Sequence, residues 1–193
     1  MPAADAELVK LNKIYTRTGD GGSAGLVDGS RVSKAGPRMA AIGEVDEANC
    51  TIGLAIPLLG EHTAARLRLV QNEMFDLGAD LATPGEMEGA LRITAGQVER
   101  LEQEIDALNA DLEPLTSFIL PGGSPAAAAL HHARAVVRRA ERAAVALHEA
   151  ESVNPQALAY LNRLSDHLFV LARHVAQSSG GDILWQPGAT RQS

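Results

Sequence analysis

The chain has 193 residues, of which 46% are hydrophobic and only 3% aromatic, and its net charge is −7. This length favours a single domain, and a core of Leu, Ile, Val and Ala suits helix-on-helix packing better than a β-sandwich. The negative balance argues against a general nucleic-acid-binding protein, which would carry a basic face. Cys50 is the only cysteine, which excludes an intramolecular disulfide and a zinc site built on cysteines.

No targeting signal is apparent. Residues 1–11 lack the apolar segment of a secretion signal, and no apolar run approaches the roughly 20 residues of a membrane span. We therefore expect a cytoplasmic protein that binds neither membranes nor nucleic acid. We divide its single domain, residues 1–193, into a frayed N-terminus (1–12), a glycine-rich arm (13–37), a helical bundle (38–178) and a tail (179–193).

The first part of the chain differs from the rest. Residues 13–37, the arm, contain six glycines and show no helical period, so we predict an ordered loop or short extended strands that lie over another part of the protein. Pro37 suits the first turn of a helix that continues to Pro57. A second helix is predicted from Glu61 to Leu81, because apolar residues recur along one face.

Capping signals predict three further helices, over about 94–109, 124–149 and 154–179. Each begins with a side chain that can accept a hydrogen bond from the first helical turn. Five helices joined by short connections are typical of an up-and-down arrangement. The fold class is therefore all-α, a five-helix up-and-down bundle with a glycine-rich N-terminal arm. The capping signals are Thr94 with Gln97, Ser124 with Pro125, and Asn154 with Pro155.

The fourth helix carries two stripes. At about 100° per residue, one is apolar and faces the core, and the other runs along its edge. Guanidinium groups in the second stripe could hold phosphate through paired hydrogen bonds, or could be a solvated face with i,i+4 pairing; both interpretations stay open. Arg139 points further round. The apolar stripe is Leu130, Ala133, Val137, Ala140, Ala144 and Leu147; the arginine stripe is Arg134, Arg138, Glu141 and Arg142.

The arm has the composition of a phosphate cradle, since successive backbone N–H groups in a tight turn bind phosphate oxygens. The alternative is a mobile glycine-rich segment without a ligand. A Walker A loop is absent, and the loose Gly19-x-Gly21-x-x-Ala24 match fails as a dinucleotide fingerprint because no helix follows it. We therefore predict that the arm and the arginine stripe together grip a phosphate-bearing ligand. Other polar side chains of the arm are Thr16, Arg17, Thr18, Ser23 and Lys34.

Other chemistries find less support. A ferritin-like di-metal site needs Glu-x-x-His pairs, and none of the six histidines has a Glu three residues before it. Cys50 lies within the first helix and is interpreted as a small core residue rather than a nucleophile. No nucleophile-elbow pattern supports a Ser-His-Asp triad. Phe169 shares a polar face of the fifth helix, where it belongs to the core, a ligand pocket or a subunit interface.

Taken together, five stretches resemble the PduO-type ATP:cob(I)alamin adenosyltransferases. The resemblance extends from about Lys13 to Trp185, nearly the whole chain. Each motif is modest alone, but five in the same order are specific. The stretches are YTRTGDGGSAGL (15–26), IGEVDEAN (42–49), QNEMFDLGADLA (71–82), FILPGGSPAAAALHHARAVVRRAER (118–142) and YLNRLSDHLFVLAR (160–173).

The resemblance implies an enzyme that transfers the 5′-deoxyadenosyl group of ATP to the cobalt of cob(I)alamin or a related corrinoid. The products are adenosylcobalamin and triphosphate, and Mg²⁺ would bridge the phosphates. It also implies a homotrimer with active sites between subunits, and as partners a corrinoid reductase and an adenosylcobalamin-dependent mutase. Two alternatives are a non-catalytic corrinoid or nucleotide carrier that delivers cofactor to a partner enzyme, and a purely structural helical trimer.

Site residues are carried over position by position. Arg134, Asp46, Phe118 and Arg138 are the expected catalytic set, with Asp46 as the partner of Arg134 across the subunit boundary. Phe118 and Phe169 would face the corrin and remove its lower axial ligand before reduction. The metal ligands are not assigned. The ATP site falls on Thr16, Arg17, Thr18, Gly19, Ala24, Gly25, Lys34, Arg138, Arg139, Ala140, Glu141, Arg142 and Asn162.

The sequence departs from the family pattern at two places. Lys34-Ala35-Gly36 stands where members often have Lys-Asp-Asp, and Val45-Asp-Glu-Ala-Asn-Cys50 stands where they often have Val-Asp-Glu-Leu-Asn-Ser. Lys34 and Asp46 are kept, so we expect the departures to affect local packing and the ordering of the arm rather than the chemistry. In a trimer, we expect residues 16–25 and 134–142 of one active site to come from different subunits.

Overall fold

The computed structural model describes residues 14–191. The predicted frayed segment, residues 1–12, lies outside the described residues. Within them, no helix is long and apolar enough to cross a membrane. The elements are the strands β1 (Ser23–Gly25) and β2 (Arg31–Ser33) and the helices α1 (Pro37–Ala55), α2 (Glu61–Leu81), α3 (Ala95–Asn109), α4 (Pro125–Ala150) and α5 (Pro155–Gln177), with a short 3₁₀ turn at Ile56–Leu58.

The helices begin where the capping signals predict. The Ser124 hydroxyl accepts a hydrogen bond from the Ala127 N–H at 3.2 Å, and the Asn154 side chain accepts one from the Gln156 N–H at 3.0 Å. Such caps satisfy backbone donors that have no partner within the helix. Pro37, Pro125 and Pro155 each occupy the first turn of a helix, where the missing N–H costs nothing.

Side-chain contacts at the helix ends give the directions of the helices. Arg38, in the first turn of α1, donates to the Leu81 carbonyl at the end of α2 and pairs with Glu151 just after α4. Glu73 of α2 pairs with Arg100 of α3, and the Asp80 carboxylate accepts from the N–H of Ile93, just before α3. Helices α2 and α4 therefore run against α1, and α3 runs against α2.

The helices pack against one another in the order α2, α1, α4, α5 and α3. Helix α4 packs between α1 and α5, α2 packs on α1, and α3 packs on α5. On α4 and α5, the Glu141–Asn162 and His131–Phe169 contacts show opposite directions. The up-and-down arrangement predicted from the sequence is therefore confirmed. We call the end where α1, α3 and α5 begin the arm end, and the opposite one the tail end.

The core is formed by the predicted apolar stripes. On α2, α4 and α5 the core-facing Leu, Val, Met and Ala side chains are buried. Cys50 is a correction: it is exposed rather than part of the core. Because α1 turns Val45, Ala48 and Ile52 inward, the position of Cys50 on the helix faces away from them.

One part of the core is polar. Between α2, α3 and α5, the Arg100 guanidinium donates to both Glu73 and Glu104, each at 2.5 Å. The Tyr160 hydroxyl donates to Glu73 at 2.7 Å, and the His167 Nε2 lies 2.9 Å from Glu104. Burial opposes ionisation of Glu104, but the hydrogen bond and charge of His167, together with Arg100, lower its pKa to about 2. This network fixes the three helices against one another.

Candidate active site

The arm is an antiparallel hairpin held at the arm end of the bundle. Strands β1 and β2 pair Ala24 with Val32 at their centre. The Val27 N–H donates to the Ala82 carbonyl, just after α2, at 3.1 Å. Within residues 14–191 this backbone bond ties the hairpin to the end of α2, while most of the hairpin surface stays open to solvent.

Arg31 organises the turn that precedes β1. Its guanidinium donates to the carbonyl oxygens of Thr18, at 2.7 Å, and Ser23, at 3.0 Å. The two carbonyls are thus drawn towards the hairpin, which fixes the backbone of residues 18–23. The hydroxyl oxygens of Thr16 and Thr18 lie 2.8 Å apart and are both exposed. Arg31 was not among the predicted site residues, although a basic residue on a strand of the arm was a signal for it.

Lys34 lies against the same turn. A Cβ atom on Gly19 would stand 2.9 Å from the Lys34 Nζ, closer than real contacts allow. A side chain at this position would displace the ammonium group, so glycine permits its close approach to this part of the backbone. Arg17 adopts a φ of 63°, in the left-handed region that few residues with a side chain occupy. Thr16, Arg17, Thr18, Gly19 and Lys34 are thus brought together as predicted, with Ala24 and Gly25 on the adjoining strand.

The arginine stripe borders a shallow depression of about 400 Å³ that is lined by α4 alone. Arg138 and Arg142 are exposed, and the Arg142 guanidinium donates to the Arg138 carbonyl at 3.0 Å. Glu141 accepts from the side-chain amide of Asn162 at 2.8 Å, which brings this α5 residue to the stripe. Arg138 and Arg142 make no ion pair within residues 14–191, so both guanidinium groups are open to a phosphate, although Glu141 and Glu149 also line the depression.

The run from Arg138 to Arg142 does not act as one surface. Ala140 is fully buried in the core. Arg139 points towards α1 and forms ion pairs with Glu44 and Glu47. Because helical neighbours differ by about 100° in direction, the structure leaves Arg138, Glu141 and Arg142 together and separates Arg139 and Ala140 from them.

Arg134 and Phe169 lie further along the stripe, towards the tail end. The Arg134 guanidinium lies 5.1 Å from the centre of the Phe169 ring, and the His131 ring meets the same phenyl edge-on at 6.3 Å. Burial and the Arg134 charge lower the pKa of His131, against an opposing contribution from Asp182, which favours the neutral imidazole. Phe169 is half-buried, so an apolar ring edge adjoins the cationic stripe.

Phe118 lies at the tail end, paired with the tail of the chain. Its ring is 78% exposed and lies 6.1 Å from the ring of Trp185. The Trp185 N–H donates to the Phe118 carbonyl at 2.7 Å, and the Leu120 N–H donates to the Ile183 carbonyl at 2.8 Å. The connector before α4 and the tail thus form a short antiparallel pair that exposes two aromatic rings.

A buried ion pair holds this tail in place. The Arg173 Nε donates to Asp182 at 2.8 Å, and its Nη2 donates to the Glu113 carbonyl at 2.8 Å. Only 7% and 10% of the Arg173 and Asp182 side chains are exposed. Removing one partner of such a pair would leave a buried charge. The position of Trp185 is therefore set by α5 as well as by the connector.

The two halves of the predicted grip do not meet within one chain. In the described part, no hydrogen bond or ion pair joins residues 16–34 to the arginine stripe. Asp46 is exposed on α1 and makes no ion pair with Arg134, whose guanidinium lies on Phe169. One chain thus presents two incomplete surfaces of matching chemistry.

Comparison with known proteins identifies the family. Residues 14–175 match the family described as cobalamin adenosyltransferase. A corrinoid adenosyltransferase from Mycobacterium tuberculosis is 50% identical over 190 residues, which cover 95% of this chain and 97% of the relative. A cobalamin adenosyltransferase from Cupriavidus metallidurans is 51% identical over 180 residues, covering 92% of this chain and 96% of the relative. The chain belongs to the cobalamin adenosyltransferase family.

Solved structures agree with this cobalamin adenosyltransferase assignment. A variant PduO-type ATP:corrinoid adenosyltransferase from Lactobacillus reuteri, complexed with cobalamin and ATP, is 37% identical and superposes with a TM-score of 0.84. The match covers 91% of this chain and 97% of that one. The resemblance, the five-helix class and the adenosyltransferase activity predicted from the sequence are confirmed. The roles of individual residues stay predictions.

Two features of the candidate site were not predicted from the sequence. The pairing of Trp185 with Phe118 joins residues far apart in the chain, and the only hint of it was the single tryptophan in an otherwise polar tail. For the contact of Arg134 with Phe169, the only signal in the sequence was a phenylalanine on a polar helix face. Both contacts concern the aromatic side of the candidate site.

Proposed function

We propose that the chain transfers the 5′-deoxyadenosyl group of ATP to the cobalt of cob(I)alamin at a site completed between two copies of the chain. The observation that supports this most directly is Arg138. It is an exposed guanidinium that makes no ion pair within the described residues, in a depression that α4 lines alone. The arm, which carries Lys34 and the open backbone turn, lies elsewhere on the same chain. A second copy that supplies its arm to the depression completes the site.

A homotrimer fits this arrangement. Asp46 on α1 is exposed, and the Arg134 guanidinium is half-buried on α4. An ion pair between Asp46 of one subunit and Arg134 of another would join the two surfaces, and a closed ring of three copies repeats that contact without open ends. In the single chain, burial and the neighbouring Arg138 charge lower the pKa of Arg134. An ion pair with Asp46 would raise it again.

In the reaction, the cobalt(I) electron pair attacks the 5′-carbon of ATP. The cobalt electron pair becomes the cobalt–carbon bond, the bond from C5′ to the phosphate oxygen breaks, and the triphosphate leaves with the electron pair of that broken bond. Arg138, Arg142 and Lys34 would neutralise the charge that collects on the leaving group. The chain otherwise contributes position, because a nucleophile held in line with its carbon gains most from a fixed geometry.

A Mg²⁺ ion is compatible with the residues present. No group of three or more His, Cys, Asp or Glu side chains within residues 14–191 is placed to hold a metal. Mg²⁺ commonly takes substrate phosphates, waters and one or two carboxylates as ligands. Glu141, next to Asn162 in the arginine stripe, is the carboxylate best placed to contribute. When bound, the ion would add positive charge at the triphosphate.

The aromatic residues would form the corrin side of the site. Phe118 and Trp185 expose their rings at the tail end, and Phe169 adjoins Arg134 on the stripe. Apolar groups offer no ligand to cobalt and exclude water from its lower face. Cobalt(II) without a lower axial ligand is easier to reduce to the nucleophilic cobalt(I). We assign Phe118 and Phe169 to this role, with Trp185 as a support for Phe118.

The activity is tested with purified protein, ATP, Mg²⁺ and chemically reduced cobalamin. We expect adenosylcobalamin to form, as followed by its visible spectrum, and triphosphate to appear in equal amount. The absence of a spectral change with folded protein would contradict the proposal.

The shared site has a sharper test. Lys34→Gln and Arg138→Gln subunits are each expected to be inactive, because each lacks one half of every site. In a coexpressed equal mixture, about a quarter of the interfaces would combine an intact arm with an intact stripe. Activity in the mixture near a quarter of the wild-type value supports a site between subunits. A mixture as inactive as either variant alone contradicts it.

Some expectations stay predictions from the sequence alone. These are the cytoplasmic location, a corrinoid reductase as supplier of the substrate and an adenosylcobalamin-dependent mutase as user of the product. They do not affect the site residues.

A further inference from the structure

A second, smaller site lies at the tail end of the bundle, away from the arginine stripe. The beginning of α2 and the last turns of α3 and α5 enclose a cavity of about 140 Å³. Leu108 and Leu171 form its apolar wall. The other lining residues are all polar: His62, Thr63, Arg66, His167 and His174.

The ionisable side chains in this lining are all basic. It contains three histidines and one arginine, and no carboxylate. The cavity is therefore suited to a negative ligand. A metal ion is disfavoured by geometry, because no three potential ligands within the described residues come close enough to hold one.

Arg66 distinguishes this cavity from ordinary helix surfaces. Across the described helices, the arginines without a carboxylate partner are those of the arginine stripe and Arg66. Arg66 is half-buried and makes no side-chain hydrogen bond within residues 14–191. Arg68, two residues later, pairs with Glu61 at 3.0 Å. By contrast, Arg66 remains unpaired at the cavity within residues 14–191.

His167 is the buried polar group in the lining. Only 2% of its side chain is exposed, and its Nε2 is held 2.9 Å from Glu104. Its Nδ1 has no hydrogen-bond partner among the described residues. Buried polar atoms without a partner are rare in folded proteins, and each one calls for a specific explanation. A ligand in the cavity, directly or through a bridging water, would provide one here.

The start of α2 adds a positive field. Helix α2 begins at Glu61, and its N-cap residue, Gly60, has no side chain to accept a hydrogen bond from the first turn. The N–H groups of His62 and Thr63 are in that turn, and both residues line the cavity. The N-terminus of a helix favours an anion through these donors and through the helix dipole.

We propose that this cavity binds a single phosphate-type oxyanion, with Arg66 as its main donor and His62 and His174 at its rim. Its volume lies well below the roughly 300 Å³ at which pockets for larger organic ligands begin. The site therefore takes one phosphate group, either free inorganic phosphate or the end of a longer polyphosphate. It shares no residue with the proposed ATP site.

The test is calorimetric titration of the full-length protein with inorganic phosphate at constant ionic strength. We expect Arg66→Gln to weaken phosphate binding by at least about tenfold, since it removes charge-assisted hydrogen bonds. Arg68→Gln, with the same charge change on the same helix, is expected to bind like the wild type. Arg138→Gln is also expected to retain this binding, which separates the cavity from the proposed ATP site.

Further arms of the experiment define the ligand and guard against misfolding. Triphosphate added to Arg138→Gln protein distinguishes the two forms of the ligand. If the cavity takes the end of a polyphosphate, triphosphate binds to this variant; if it takes only free phosphate, triphosphate does not bind. His174→Gln provides a second variant if Arg66→Gln melts at a lower temperature than the wild type. Phosphate binding that survives both cavity variants but disappears in Arg138→Gln, or no phosphate binding by the wild type, would overturn the proposal.

Discussion

Two regions of this bundle hold arginines in opposite ways. Arg100 lies between Glu73 and Glu104 in the polar part of the core, with both carboxylates at 2.5 Å. Arg138, on the arginine stripe, is exposed and has no ion pair in the described part of the chain. A guanidinium enclosed by carboxylates stabilises its own fold, whereas one without a partner keeps its hydrogen-bonding capacity for a ligand. The pairing of an arginine is thus more informative than its place in a charged run.

The largest effect is expected for the paired arginine. Arg100→Gln would leave Glu73 and Glu104 without their shared cation, and breaking such a buried pair costs about 3–5 kcal/mol. We expect the free energy of unfolding, from urea denaturation, to fall by that amount. Arg163→Gln is the control, because its ion pairs with Glu102 and Asp166 are more exposed and contribute less than about 1 kcal/mol. Equal losses in the two variants would contradict the distinction.

The next prediction concerns the unpaired Arg138, whose loss should affect activity rather than stability. Arg138→Gln should leave the free energy of unfolding within about 0.5 kcal/mol of the wild type, because no contact of the fold is lost. We expect kcat/KM for ATP to fall by at least about 100-fold, as for other charged groups that stabilise a leaving phosphate. Arg68→Gln is the matched control on a helix surface. Unchanged kcat/KM in Arg138→Gln would remove the stripe from the site.

The same contrast explains what the sequence could and could not predict. The limits of α2 and the burial of its apolar face followed from local periodicity, because every residue needed was within one helix. Cys50 was assigned wrongly because α1 has apolar residues on both faces, including Leu54, which is 66% exposed. When both faces are apolar, the period no longer tells which one is buried.

The candidate site was predictable only in part for a related reason. Arg134 and Arg138 were found because they share one helix face. By contrast, Arg139 pairs with Glu44 and Trp185 packs on Phe118, and these partners lie far apart along the chain. No local pattern encodes such contacts. They appear only once the helices are assembled, which is why the resemblance placed Arg139 in the expected ATP site although it pairs with α1.

A smaller effect is expected at the aromatic side. Trp185→Ala would remove the ring that supports Phe118, and aromatic pairs contribute about 0.5–1.5 kcal/mol beyond their buried area. We expect adenosylation that starts from cob(II)alamin to slow by about tenfold, with the KM for ATP unchanged. Phe75→Ala, which truncates an exposed phenylalanine on α2, is the control. A raised KM for ATP would instead connect the tail to the nucleotide.

The last effect concerns acid stability and tests the polar core again. The pKa of Glu104 is about 2 in the folded chain, below its ordinary value of 4.5, so the unfolded chain binds a proton more readily between these values. The contribution of Glu104 is therefore complete above pH 4.5 and is lost as the pH falls towards 2. Solvent screening of a partly buried group limits this contribution to about 1–2 kcal/mol.

We expect Glu104→Gln to be less stable than the wild type at pH 7 and to lose less unfolding free energy on acidification. Glu102→Gln, on the same helix but more exposed, should follow the wild-type pH profile. If the free energy of unfolding of Glu104→Gln falls as steeply on acidification as that of the wild type, Arg100 and His167 do not hold this carboxylate in its charged form. The contrast between paired and unpaired arginines would then rest on Glu73 alone.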